Sequence, residues 1–169
     1  MPVHWSYVVG RKAMKQVLCV WFVLLVSLAA VAEEQAADRK GASEEKAAAD
    51  QKALQGEWVP VKAEMAGQAM PEAFLKTINL KIAKNEYEAV VGDKQDKGTW
   101  TIDASAKPKG MLITGAKGPN AKKSIPAIYE VSADTLRVCY DLSGKKRPAE
   151  FKTKADTMLY LVTYKRKKK

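Results

Sequence analysis

Histidine is nearly absent from this chain and cysteine is scarce: the sequence has one histidine, His4, and two cysteines, Cys19 and Cys139. Where they lie matters more than how few they are. His4 and Cys19 fall within the first 32 residues, which carry the three marks of a cleavable secretory signal. Arg11, Lys12 and Lys15 give a positive start, Val17 to Ala32 form an apolar run, and Ala30-Val31-Ala32 ahead of Glu33 and Glu34 fits a cut after Ala32. The run is shorter than the ~20 residues a membrane span prefers, which weighs against the alternative of an uncleaved anchor helix. Met14 would also make an ordinary start. Cys19 sits inside the apolar run rather than behind a cleavage box, which argues against a lipoprotein anchor.

With residues 1–32 removed, 137 of the 169 residues remain, enough for one domain with a real core. Cys139 is then the sole thiol, so no internal disulfide can form although export places the chain in an oxidising compartment, periplasmic or extracellular. Loss of the imidazole excludes Ser-His and Cys-His nucleophile activation and removes the commonest metal ligand. G-x-S-x-G, P-loop and G-x-G-x-x-G patterns are missing as well. The stretch Gly115 to Asn120 lacks the Lys-Ser/Thr that follows a phosphate loop and reads as an exposed connection. Cys139 reads as a buried, inert thiol, and Glu86 with Glu88 as solvated groups on one strand face. No metal and no cofactor is expected, and the chain is expected not to be an enzyme. Catalysis by carboxylates, lysine or tyrosine alone is left open, a carboxylate-dependent hydrolase being the catalytic alternative.

What is abundant is positive charge. Three of the 29 Lys and Arg but none of the 19 Asp and Glu lie in the signal segment, so the remainder carries +7. The basic clusters are Lys165 to Lys169, Lys145-Lys146-Arg147 and Lys122-Lys123. They suit a solubilising role or contact with an anionic envelope surface. Nucleic acid is not the expected partner, since export separates the two and no aromatic stacking platform is interleaved with the lysines.

Residues 33–53 are Ala-rich and charged with almost no large apolar side chain, and read as a tether, disordered or partly helical from Ser43 as N-cap to Leu54. A docked amphipathic helix is the alternative. From Leu54 to the end the text turns to short runs of Val, Ile, Thr, Tyr and Trp broken by Gly, Asn, Asp and Pro. Ile78, Leu80 and Ile82 alternate inward, followed by Tyr87, Ala89 and Val91, then Gly98, Trp100 and Ile102. Met111 to Thr114, Ile125 to Val131, Leu136 to Tyr140, a segment from Phe151, and Met158 to Tyr164 continue the series. Only Pro71 to Lys76 suggests a helix. The fold expected over residues 54–169 is therefore all-β: an antiparallel meander of about eight strands with one short helix. An up-and-down barrel is its simplest closure, and a two-sheet sandwich the alternative.

Gly56-Glu57-Trp58 at the start of the first strand resembles the G-x-W signature of lipocalins. The spaced segments LQGEWVPVKAEMAGQAMP, DKGTWTID, YEVSADTLRVCYD, RPAEFKT and LVTYKR resemble, in the same order, the Planctomycetes-type uncharacterised lipocalin-like domain of exported proteins. The resemblance covers about residues 54–166 and implies a lipocalin-like up-and-down β-barrel with no defined activity. It also implies that Trp58 closes one end while a basic residue near the end of the chain, Arg166, lies across its ring. Strict alternation sets Trp58 on the face opposite Val59, Val61 and Ala63, so either Pro60 marks a bulge or Trp58 sits at the rim.

Tyr87, Trp100, Tyr129 and Tyr140 share the inward phase of their strands, and either line a cavity or fill a solid core. Two functional expectations follow. One is a non-enzymatic module holding a small apolar or amphipathic ligand; the other is an interaction domain that meets anionic envelope material or a protein through its basic surface.

Overall fold

The computed structural model describes residue 41 and residues 43–168; the expected signal peptide and the first part of the expected tether lie outside the described residues. Eight antiparallel strands form a closed barrel in sequence order. They are β1 (Gly56–Met65), β3 (Ile78–Ala83), β4 (Glu86–Val91), β5 (Lys94–Asp103), β6 (Gly110–Lys117), β7 (Ser124–Val131), β8 (Thr135–Asp141) and β9 (Leu159–Arg166). Pairing of β1 with β9 closes the ring, and β2 (Gln68–Ala69) is a two-residue return against the end of β1. Closure leaves neither long edge of the meander unpaired, which is what a sheet with one apolar face requires.

Alternation decides which side chains fill the interior. Ile78, Leu80 and Ile82 of β3, Trp100 of β5, Ile113 of β6 and Val138 of β8 are buried. The outward neighbours Lys81, Thr99 and Thr101 are exposed. In β1 the pairing with β9 shifts between Pro60 and Lys62, so Val61 bulges out and is 52% exposed. That extra residue puts both Trp58 and Ala63 on the buried face, resolving the conflict of phase in favour of the bulge.

The short helix α2 (Glu72–Leu75) bridges β2 and β3, starting after Pro71 and burying Leu75. A second helix, α1, covers residues 43–54; Ser43 is itself helical rather than a cap. Its end belongs to the barrel: Leu54 is fully buried in the core, and Asp50 is tied to two strand-side groups. Residues 43–53 are thus part of the compact unit Ser43–Lys169 rather than tether. Among the described residues, that unit holds the hydrophobic core.

The segment expected to start a strand at Phe151 does not pair with the sheet. Residues 142–158 instead run as an irregular strap over the outside of the barrel. The Arg137 guanidinium stacks 4.7 Å from the Phe151 ring, and the Cys139 Sγ lies 3.8 Å from the Lys152 carbonyl oxygen. The outward-facing Ile128 and Cys139 are fully buried. Burial pushes the Cys139 thiol up from its ordinary value, the opposite of what a nucleophile needs.

Candidate functional site

One end of the barrel is shut by a layered plug. Trp58 is fully buried, and its indole Nε1 donates to the Leu54 carbonyl at 2.9 Å. The Arg166 guanidinium lies 4.1 Å from the Trp58 ring, directly across the β1–β9 register. Its nitrogens donate to the carbonyls of Ala53 at 2.8 Å, Gln55 at 2.5 Å and Ala133 at 2.7 Å. Trp58 and Arg166 together satisfy carbonyls that the end of α1 would otherwise leave open, and place a cation at its negative pole. Gly56 makes this geometry accessible. Its φ is +122°, and an added Cβ would lie 2.8 Å from the Arg166 Nη1.

Tyr129 belongs to the same plug. Its hydroxyl donates to Asp50 Oδ2 at 2.7 Å, and Lys109 Nζ reaches the same carboxylate at 2.7 Å. The Asp50 side chain is only 13% exposed. Tyr129 therefore latches α1 to the barrel and, contrary to expectation, does not line the cavity.

At the other end the interior is hollow. A cavity of about 350 Å³, within the ~300–1,000 Å³ range of small-molecule sites, runs from the core toward the β4–β5 turn and the β6–β7 connection. Its walls are mostly aliphatic, from Leu80, Ile113, Leu136 and Val138 among others, so the barrel is not a solid core. Of the four aromatic candidates, Tyr87, Trp100 and Tyr140 line it, joined by Tyr160 and Tyr164 of β9. Tyr140 and Tyr160 stack with ring centroids 5.9 Å apart.

A polar cluster lies at the mouth of the cavity. Asp96 is buried and accepts from the Tyr87 hydroxyl at 2.9 Å, the Asn120 backbone N–H at 3.1 Å and the Asn120 Nδ2 at 2.9 Å. Gly98 permits the Tyr87 contact, because the ring crosses it so closely that a Cβ would sit 2.8 Å away. Lys94, one inward position further out, is exposed beside the opening.

Burial, and for Tyr87 the bond to Asp96, raises the phenols of Tyr87, Tyr140 and Tyr164 well above their ordinary value, and burial raises Tyr160 to about 12. They are neutral hydroxyls near pH 7, able to donate and accept but not to act as bases. Trp100 contributes an indole Nε1 that has no hydrogen-bond partner. Among the described residues, no cluster of three His, Cys, Asp or Glu could hold a metal ion, and no helix is long and apolar enough to cross a membrane.

Tyr160 and Tyr164 escaped the sequence reading although they alternate with Val162 on a strand already recognised. Asp96, in phase with Gly98 and Trp100, carried the same signal. Asp50 had only its i, i+4 spacing to Leu54. The chain matches no family model, no curated protein and no solved structure.

Proposed function

We propose that this chain is an exported, non-enzymatic, lipocalin-like binding module that holds a small apolar or amphipathic molecule in the open half of its barrel. The observation that carries the reading is the division of the interior: a solid plug at one end, and an apolar cavity of about 350 Å³ at the other. Apolar walls supply the non-directional part of binding, and the hydroxyls and the Asp96–Asn120 pair at the mouth offer hydrogen bonds to a polar head. Catalysis finds no support in these groups. The tyrosines are neutral, and the Asp96 carboxylate already accepts three hydrogen bonds from the protein.

The test is displacement of an environment-sensitive hydrophobic probe from the chain beginning at Glu33, with native mass spectrometry of the same sample. A bound or displaceable molecule at one per chain is expected, and Ala89→Phe, which fills the cavity from β4, should abolish it. A chain that binds no probe and carries no molecule would sink the reading. Export is checked separately: N-terminal sequencing of the secreted chain should begin at Glu33.

A further inference from the structure

The two ends of the barrel use their basic residues differently. At the plugged end several of them are engaged, although Lys84 and Lys107 are exposed there with no ion pair among the described residues. Lys109 pairs with Asp50, Lys167 with Glu57 and Arg147 with Asp103, while Arg166 is held by three carbonyls. At the open end Lys94, Lys117, Lys122, Lys123, Lys145 and Lys146 are all exposed. Among the described residues, none of their ammonium groups makes an ion pair or a side-chain hydrogen bond.

These lysines come from three separate connections that the topology brings together: the β4–β5 turn, the β6–β7 connection and the start of the strap after β8. Gly144 packs so closely on the β7 start that an added Cβ would lie 2.9 Å from the Ser124 carbonyl oxygen, setting Lys145 and Lys146 beside Lys122 and Lys123. The exposed acids at this end, among the described residues, are Glu72, Asp93 and Asp156. Exposed apolar groups share the same end: Phe74 on α2 is 38% exposed, Val91 at the end of β4 is 37% exposed, and Met158 ahead of β9 is 51% exposed.

Unpaired lysines around exposed apolar side chains form the pattern of a protein that rests on a lipid interface. The cations meet headgroup phosphates, and the apolar groups enter the layer beneath. We propose that the open end of the barrel is a docking face for an anionic phospholipid bilayer, with the mouth of the cavity turned toward the membrane. The apolar groups favour a bilayer over a purely polar polyanion, and the proposal does not depend on the cavity being occupied. It also separates two basic clusters that look alike in sequence. Lys122-Lys123 and Lys145-Lys146 face the surface, whereas Lys165 to Lys168 of the C-terminal cluster lie at the opposite end.

The experiment is co-sedimentation of the chain beginning at Glu33 with vesicles of pure phosphatidylcholine or of phosphatidylcholine carrying about a third phosphatidylglycerol, folding being checked by near-ultraviolet circular dichroism. Binding is expected on the anionic vesicles alone, falling as salt rises. The charge reversal K122E/K123E/K145E/K146E should lower partitioning about tenfold or more, and F74S/M158S about threefold. Removing Lys167 to Lys169 should change it by less than about twofold, because Lys167 and Lys168 lie at the plugged end. Equal binding to both vesicle types, or loss on removal of the tail instead of on rim reversal, overturns the proposal. A short DNA duplex that binds as tightly as the anionic vesicles and is insensitive to F74S/M158S overturns it in favour of a polyanion face.

Discussion

The plugged end and the open end of this barrel are made from the same strands, yet they are put together in opposite ways. At the plug, groups more than a hundred positions apart in the chain meet in one stack: Arg166 bonds Ala53 and Gln55 across separations of 113 and 111 residues. The Arg166 guanidinium, the Trp58 indole N–H and the Asp50 carboxylate all have partners inside the molecule. At the mouth the tyrosines face a void, and the lysines face solvent. Stability is concentrated where the interior is filled, and the capacity to bind is left where it is not.

That contrast can be broken by substitution. Trp58→Ala should cost about 3–5 kcal/mol in urea unfolding, because it empties the largest fully buried side chain and frees both the Leu54 carbonyl and the Arg166 face. A near-neutral result would mean that the plug does not carry the fold. Gly56→Ala should cost about 1–3 kcal/mol, the combined effect of a positive φ and displacement of Arg166, read by the same unfolding curves.

Asp50→Asn should cost about 1 kcal/mol, since it removes the ion pair with Lys109 and weakens the acceptor for Tyr129. Hydrogen exchange should then speed up in α1 while β5 and β6 stay protected. Smallest of all, Ala89→Phe at the cavity should shift stability by no more than about 1 kcal/mol, because the void gives the ring room, while probe binding disappears. Loss of several kcal/mol in that variant would show that the two ends are not independent.

Much of the architecture was legible because most strands obey a period of two with one wet face. Ile78, Leu80 and Ile82, or Gly98, Trp100 and Ile102, announce both the strand and its inward side. The pattern fails where a second surface covers the outside. Around Cys139 and Phe151 the strap buries outward residues, so apolar character no longer distinguishes strand from cover. It is also insufficient for Tyr129, whose phase is inward as expected. Phase fixes a side chain's face but not its height along the barrel axis, and height decides between plug and cavity. Asp50 was out of reach for a different reason. An Ala-rich, charged segment has no pattern of its own, and its docking depends on acceptors and donors that exist only once the barrel is closed.

The seam between β1 and β9 also dictates when the molecule can become itself. The strand that opens the barrel is separated from its last partner by the whole meander, so every earlier hairpin forms with one flank still bare. Such distant pairing is slow to find and enters late. The ring cannot close before residues 159–166 are in place, and the final arginine is what ties the first strand to its helix.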